Sequence, residues 1–203
     1  MSKIKPLRIG ELEFFPPIIQ GGMDVRISKS GLASAVANAG CVGTIASVGL
    51  GEFENVPGKE YVSVNNAALR SEIARTRTLT DRPFAVNIMG VLTNYPEFVK
   101  ICVEEKVTII ISGAGLPGRV IMNPLVRAVM AGERVPFRCN YQCLKTCDPA
   151  RSPYCIAKVL ADAASGNFEK AFAFAGQNAY RCKEIISVKK LVSLLIEEMN
   201  ESI

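Results

Sequence analysis

The amino-acid sequence predicts an α/β fold in which a parallel β-sheet is followed by a helical carboxyl-terminal region. Two observations carry this prediction. Short apolar runs alternate with helix-like segments as far as residue 117, and this alternation is typical of parallel sheets. Beyond that residue, the remaining periodic segments are all helical. We therefore expect residues 1–117 to form the α/β region and residues 118–203 to form a helical, cysteine-bearing region packed on it.

The first strand–helix–strand unit contains the most informative stretch of the chain, residues 16–23. An apolar run here predicts a buried strand that ends at Gly21 and Gly22. Helical spacing follows over residues 28–39, and residues 41–46 predict a second strand that lies parallel to the first. Glycines at the carboxyl end of a strand allow the backbone to approach a flat or phosphorylated ligand, although a tight turn explains them equally well.

The same alternation continues along the first region. Residues 1–15 alternate polar and apolar side chains and predict a hairpin. Buried strands are expected at residues 84–89 and 108–112, and helices at residues 65–78 and from residue 94 onward. The helices expected in the second region cover residues 123–131, 155–164, 168–174 and 188–199.

Composition limits the classes of function. The 203 residues are 49% hydrophobic and 21% charged, and the net charge of +5 is spread along the chain without Trp, which argues against nucleic-acid binding. The longest apolar runs are too short to cross a membrane, and residues 1–10 have no apolar core of a signal peptide. We therefore expect a cytoplasmic protein. Because the chain contains no His, Ser-His and Cys-His dyads and His metal ligands are excluded.

Four of the seven cysteines are closely spaced: Cys139, Cys143, Cys147 and Cys155 form a C-x3-C-x3-C-x7-C pattern. Four thiolates are able to hold zinc or an iron–sulfur cluster. The spacing differs from that of zinc ribbons and of common ferredoxins, so packed or partly exposed thiols are the alternative. The sequence leaves both interpretations open.

Several polar residues are candidates for ligand contacts. Asn87 ends the strand at residues 84–89, and Gln20 ends the first predicted strand; either side chain is able to bind a ligand or to satisfy loop backbone. Asp24 and Arg26 follow the Gly-Gly pair and are suited to lining a pocket mouth or to pairing at the surface.

Three stretches of the chain together resemble the nitronate monooxygenase family, formerly called 2-nitropropane dioxygenase, to which the flavin-type trans-2-enoyl-ACP reductase is related. These are residues 17–23, 32–40 and 84–89. The segments at residues 137–155 and 172–181 resemble the carboxyl end of a bacterial branch of that family.

The resemblance implies an oxidoreductase that carries FMN in a (β/α)8 TIM barrel and oxidises alkyl nitronates with molecular oxygen. It also implies which residues would bind the cofactor: Gln20, Gly21, Gly22, Met23 and Asn87. The two glycines and the methionine would lie against the isoalloxazine ring, and the asparagine would contact the flavin.

The chain departs from the family pattern in its middle. Residues 112–117 resemble the end of the family's fourth strand, whereas residues 118–121 resemble the segment after its eighth. We therefore expect a partial TIM barrel of about four parallel βα units, without strands five to eight. The family's catalytic histidine and the phosphate-binding loops lie in the missing part. A truncated member with weak or lost FMN binding, and with lost or impaired catalysis, is the resulting expectation.

A partial barrel also leaves the first and fourth strands as open edges. Either two chains associate as a homodimer or the helical region folds over the exposed sheet. Three functions follow: an FMN-dependent oxidoreductase, a dimeric scaffold that binds small ligands weakly, and a metal-bearing module built on the four cysteines. The second is favoured, because no histidine is available as a base and the phosphate loops are missing.

Overall fold

A computed structural model of the chain describes residues 4–51, 60–113, 120–139, 141–175 and 179–202. The chain opens with an antiparallel hairpin of two three-residue strands, β1 (Leu7–Ile9) and β2 (Leu12–Phe14). This element confirms the hairpin predicted for residues 1–15.

A parallel three-stranded sheet is the centre of the fold. Its strands are β3 (Gly43–Ala46), β4 (Phe84–Met89) and β5 (Ile109–Gly113), in the order β3-β4-β5. Asn87 in β4 is in register with Ala46 on one side and with Ile111 on the other. The apolar sequence of β4 suits a central strand whose two faces are both covered. The mixed α/β class with a parallel sheet is thus confirmed.

The first predicted strand is almost absent. Ile19 forms only an isolated parallel bridge with Val42, supported by hydrogen bonds from Val42 N–H to Ile18 O and from Gln20 N–H to Val42 O, each 2.9 Å long. The two prolines before Ile18 lack backbone N–H donors, and two glycines follow Gln20. The prolines remove backbone donors before the bridge, and the glycines after it are unfavourable in a strand. Only the bridge forms, so the prediction of a full strand was wrong.

Six helices complete the described chain: α1 (Ser30–Asn38), α2 (Tyr61–Leu79), α3 (Tyr95–Glu104), α4 (Pro124–Met130), α5 (Ile156–Ala164) and α6 (Val188–Glu201). Each of these six helices was predicted to within a few residues. The further helix expected at residues 168–174 was wrong, because the structure has only a single 3-10 turn there, over Phe168–Lys170. The chain is extended after it, because Phe174 pairs with Val120 in an antiparallel bridge.

The largest hydrophobic core joins the sheet to both regions of the chain. Ile45 and Val86 from the sheet share this core with Cys143 and with Ala157 of α5. A second cluster brings Phe14 of the hairpin against the sheet. The carboxyl-terminal region and the hairpin therefore cover different parts of the same sheet.

Helix α1 packs against β3 and α6. Val192 of α6 is buried against Val36 and Cys41. Gly43 permits a close approach of α1 to the sheet, because a Cβ atom at this position would overlap the carbonyl oxygen of Ala33. Within the described residues, no helix has the length and apolar character needed to cross a membrane.

The junction between residues 112–117 and 118–121, which carried the prediction of a missing middle segment, lies largely outside the described residues. Among the described residues, the parallel sheet has three strands, and one parallel bridge, between Ile19 and Val42, lies beside it. Four complete parallel βα units are therefore not present among the described residues.

Candidate functional site

A cavity of about 210 Å³ lies at the carboxyl ends of the parallel strands. One wall comes from the segment after the first bridge and from the strand ends, and includes Gly22, Met23, Asp24, Val48, Asn87 and Gly113. The opposite wall comes from the carboxyl-terminal region and includes Cys143, Ile156, Leu160 and Phe174. The cavity is mostly apolar, as small-molecule sites commonly are.

Gly22 and Asn87 are in close contact at this cavity. A Cβ atom on Gly22 would lie 2.8 Å from Asn87 Cβ and 3.1 Å from its Oδ1. Real side chains do not tolerate the shorter distance, so only glycine allows Asn87 to keep this position. The Gly-Gly motif therefore includes one glycine with a steric requirement.

The Asn87 side chain is half-buried and turns one of its polar atoms toward the neighbouring strand. Its Nδ2 donates a long hydrogen bond of 3.4 Å to Ile111 O. Within the described part of the chain, no hydrogen-bond donor is assigned to its Oδ1. Asn87 lines the cavity, and an amide oxygen is a suitable acceptor for an N–H of a ligand.

The first two residues of the predicted cofactor motif do not line this cavity. The Gln20 amide donates to Ser28 Oγ at 2.9 Å and to Thr44 O at 3.0 Å, and its Oε1 accepts from Thr44 N–H at 3.0 Å. It thus ties the chain segment before α1 to β3. Gly21 is exposed, and a Cβ atom there would contact nothing within 4 Å.

Asp24 is the functional candidate that sequence reasoning underrated. It lines the cavity, and its Oδ1 accepts a 3.3 Å hydrogen bond from Val48 N–H. Burial raises the pKa of its carboxyl to about 7, and the hydrogen bond from Val48 opposes this rise. Among the described residues that line the cavity, Asp24 is thus the carboxyl able to exchange a proton near neutral pH.

A second cavity of about 280 Å³ adjoins the first and shares Met23, Asp24, Leu160 and Phe174 with it. Its other described lining residues are apolar, among them Ile27 and Phe172. Asp24 is therefore the only carboxylate that lines either cavity within the described residues. Neither cavity has a lysine or an arginine among its described lining residues.

The four predicted metal ligands line a third pocket of about 300 Å³, which shares Cys143 and Ile156 with the first cavity. Their thiols are nevertheless not arranged as a ligand set: the described residues contain no group of three or more His, Cys, Asp or Glu side chains able to hold a metal ion. Burial, reinforced by the neighbouring thiols, raises the pKa of Cys143 to about 12, which disfavours the thiolate that a metal needs. The pKa of Cys155 is also raised by burial. The metal prediction for Cys139, Cys143, Cys147 and Cys155 is thus unsupported and is withdrawn.

The fold and the cavity together define an α/β protein with a candidate ligand cavity outside the carboxyl ends of a parallel sheet. Comparison with protein families identifies it further. The nitronate monooxygenase family model matches residues 5–108, a range that includes Gly22, Met23, Asp24 and Asn87 of the cavity wall. The chain belongs to the nitronate monooxygenase family.

Individual relatives are similar over part of the chain. A protein of Rhodococcus jostii strain RHA1, named (3aS,4S,5R,7aS)-5-hydroxy-7a-methyl-1-oxo-octahydro-1H-indene-4-carboxyl-CoA dehydrogenase, is 31% identical over 93 residues, which are 46% of this chain and 22% of that protein. The structure of FabK from Thermotoga maritima is 36% identical, covering 51% of this chain and 29% of that one, with a TM-score of 0.40. Nitroalkane oxidase from Streptomyces ansochromogenes is 34% identical, covering 37% and 18% respectively, with a TM-score of 0.29. The chain thus spans less than a third of the length of each of these relatives.

Proposed function

We propose that this protein binds the isoalloxazine ring of FMN in the cavity at the carboxyl ends of its sheet, and that its oxidation of alkyl nitronates is lost or impaired. The observation that carries the proposal is the contact between Gly22 and Asn87 in the cavity wall. Family membership supports FMN as the ligand, since the matched range includes both residues. Bound flavin would supply a redox centre that the amino acids of the chain lack.

The lining of the cavity favours the ring over the rest of the nucleotide. The cavity has about 210 Å³ and adjoins the second one of about 280 Å³, so the chemistry of the walls discriminates more than their volume does. Its apolar walls suit a flat aromatic ring. The Oδ1 of Asn87 and the carboxyl of Asp24 are the side-chain groups that would bind the polar edge of that ring.

The phosphate of FMN finds no cationic partner in the same cavity. Its described lining residues include no lysine or arginine, although phosphate groups are usually bound by such side chains or by helix N-termini. We therefore expect the ring to provide most of the binding energy, and we expect weak affinity.

Impaired nitronate oxidation follows from the chemistry of the side chains. The resemblance to the family implies a histidine as the base that takes the substrate proton, and the 203 residues contain no histidine. Loss of a positioned base typically lowers a rate by about 10²- to 10⁴-fold.

We propose further that the protein is a homodimer in which the edge of the sheet is covered by a second copy. The observation that favours this is β5, which lies at one end of the strand order and carries Ile110 with 37% of its surface exposed. Apolar edge strands of this kind pair readily with another chain. Sedimentation at micromolar concentration tests this: a dimer is expected, and a sharp monomer boundary would contradict it.

An absorbance spectrum tests the central proposal. The purified protein is scanned from about 300 to 700 nm before and after addition of FMN and passage through gel filtration or rapid dialysis, where flavin bands report the bound cofactor. Retained flavin, or a shifted flavin spectrum at equilibrium, is the expected result. The proposal would be contradicted if the protein carried no flavin bands after gel filtration and if it did not shift the spectrum of added FMN at equilibrium. Turnover of an alkyl nitronate at the rate of an intact flavoenzyme would contradict the part that concerns catalysis.

A further inference from the structure

We infer that Asp24 is the group that recognises the ligand in this cavity, and that it does so as a neutral carboxylic acid, so that binding of a flat imide-like ring is regulated by protonation. This inference rests on the proposed function, because it concerns the same cavity. It adds two points to that function: the ligand has a carbonyl beside an N–H, and its binding depends on pH.

The location of Asp24 supports this role. It lines both adjoining cavities, and it is the only carboxylate that does so within the described residues. The surrounding walls are formed by apolar side chains such as Met23, Leu160 and Phe174. An ionised carboxylate in such surroundings loses hydration without gaining a cation among the described lining residues.

The neutral form of Asp24 is suited to pairing with an imide. A protonated carboxyl has one O–H donor and a carbonyl acceptor side by side. The pyrimidinedione edge of a flavin has a carbonyl and an N–H in the complementary arrangement. One Asp24 oxygen is oriented by the Val48 N–H at 3.3 Å, which limits the side chain to a narrow range of positions.

The ionised form of Asp24 would oppose the same ligand. Two carbonyl oxygens flank the imide N–H of a flavin, and a carboxylate has only acceptors to offer them. Loss of the single O–H donor therefore removes one hydrogen bond and leaves an acceptor facing an acceptor. Binding should weaken as the carboxyl ionises.

Three described groups near Asp24, a tyrosine and two cysteines, have pKa values that burial raises further from neutrality. Tyr61 of α2 is near enough for its charge to interact with that of Asp24, but burial first, then the charges of Cys143, Asp24 and Cys155, raise the pKa of its phenol above the usual range. Burial raises the pKa of Cys143 to about 12 and raises that of Cys155 as well. We therefore assign a change in affinity near neutral pH to Asp24, and the Asp24→Asn variant tests this assignment.

Lumiflavin binding as a function of pH tests the inference. Lumiflavin is the ring of FMN without its phosphate, whose own second pKa of about 6 would otherwise contribute. Quenching of lumiflavin fluorescence is titrated at intervals between about pH 5.5 and 8.5 with the full chain, and with the variants Asp24→Asn, Asp24→Ala and Asp81→Asn. Asp81 is an exposed carboxylate outside both cavities and serves as the matched control.

The expected affinity of the unmodified protein falls about tenfold per pH unit above the pKa of Asp24, as one linked proton requires. Asp24→Asn, whose amide keeps a donor beside an acceptor, is expected to bind equally well across the range. Asp24→Ala should bind weakly at every pH, and Asp81→Asn should behave like the unmodified protein. Circular dichroism confirms that each variant is folded.

The possible failures are distinct. Lumiflavin that binds with the same affinity at all pH values, or that binds Asp24→Asn with the original pH dependence, overturns the role of Asp24 and leaves the cavity as a flavin site. Absence of lumiflavin and FMN binding at every pH, in the unmodified protein and in Asp24→Asn alike, overturns the proposed function and this inference with it.

Discussion

The carboxylate of Glu72 on α2 accepts a 2.8 Å hydrogen bond from the backbone N–H of Ser30, the first residue of α1. Glu72 is buried, and its other oxygen pairs with Lys29 Nζ at 3.1 Å. Helix α1 has no side-chain cap of its own at this end. A residue 42 positions further along the chain therefore satisfies one of the backbone donors that begin α1.

Glu72→Ala is expected to lower the free energy of unfolding by about 1 to 3 kcal/mol, because it leaves a buried backbone donor without an acceptor. Glu72→Gln, which keeps an acceptor, should cost less. Urea denaturation provides the measurement, and Glu197→Ala, on the exposed face of α6, is the control. Equal stability of Glu72→Ala and Glu197→Ala would contradict the capping role.

The same carboxylate should make the free energy of unfolding depend on pH in the acid range. Burial acts to raise the pKa of Glu72, but the hydrogen bonds from Ser30 and the charge of Lys29 outweigh it and hold the pKa below the ordinary value of 4.5. A group with a lowered folded pKa stabilises above its unfolded pKa and loses this contribution as the pH falls through the folded value. The stability gap between the unmodified protein and Glu72→Gln should narrow below pH 4.5.

Asp24 should make the free energy of unfolding change with pH in the opposite direction. Its folded pKa of about 7 lies above its unfolded value of 3.8, so its contribution is complete below pH 3.8 and is lost as the pH rises through 7. Between these values the unmodified protein should lose up to about 1.4 kcal/mol of stability per pH unit relative to Asp24→Asn. Thermal melts of both proteins at several pH values measure this; parallel curves would show that the carboxyl is ionised normally.

Gly22→Ala is expected to displace Asn87 and to weaken flavin binding, since the added Cβ would lie 2.8 Å from Asn87 Cβ. A loss of at least tenfold in affinity corresponds to about 1.4 kcal/mol. Gly31→Ala is the matched control, because a Cβ atom at that position in α1 meets nothing within 4 Å. Flavin fluorescence titration compares the two variants, and equal affinities would remove the steric argument for glycine.

Gln20→Ala should destabilise the fold rather than act only on a ligand. It removes two donated bonds and one accepted bond, including both bonds to the backbone of Thr44. We expect a loss of about 1 to 3 kcal/mol in urea denaturation. A stable variant with specifically weakened flavin binding would return Gln20 to the cofactor role that the family resemblance implies.

The seven thiols should react at very different rates. Cys182 is exposed, whereas burial raises the pKa of Cys102 to about 11 and that of Cys143 to about 12. Thiol titration of the native protein should therefore have a fast phase that Cys182→Ser removes, and the buried thiols should react only in denaturant. Rapid modification of Cys143 in the folded protein would contradict its burial.

The sequence predicted the sheet well where the signal is local. Residues 84–89 form a strand with the expected limits, because six consecutive residues suit a buried central strand. The first strand failed for an equally local reason, since prolines on one side of Ile18 and glycines on the other limit its hydrogen bonding. The turn at Phe168–Lys170 was mistaken for a helix because the pairing of Phe174 with Val120 depends on a distant residue.

The candidate site was predictable only in part. Gly22, Met23 and Asn87 were selected from the sequence, and all line the cavity. The pKa of Asp24 could not be foreseen, because its burial depends on Leu160 and Phe174, which lie far along the chain. The cysteine spacing suggested a metal site that the described residues do not support. The four cysteines do line one pocket, but spacing carries no information about whether their sulfurs face each other.

The two walls of the cavity come from opposite ends of the chain, Met23 near the beginning and Leu160 and Phe174 near the end. Closing so long a loop is entropically costly and is slow compared with forming a helix or a hairpin. The amino-terminal wall should therefore exist on the ribosome well before the carboxyl-terminal wall is synthesised. A flavin that needs both walls would bind only a completed chain, which makes cofactor uptake a late step in the biogenesis of this protein.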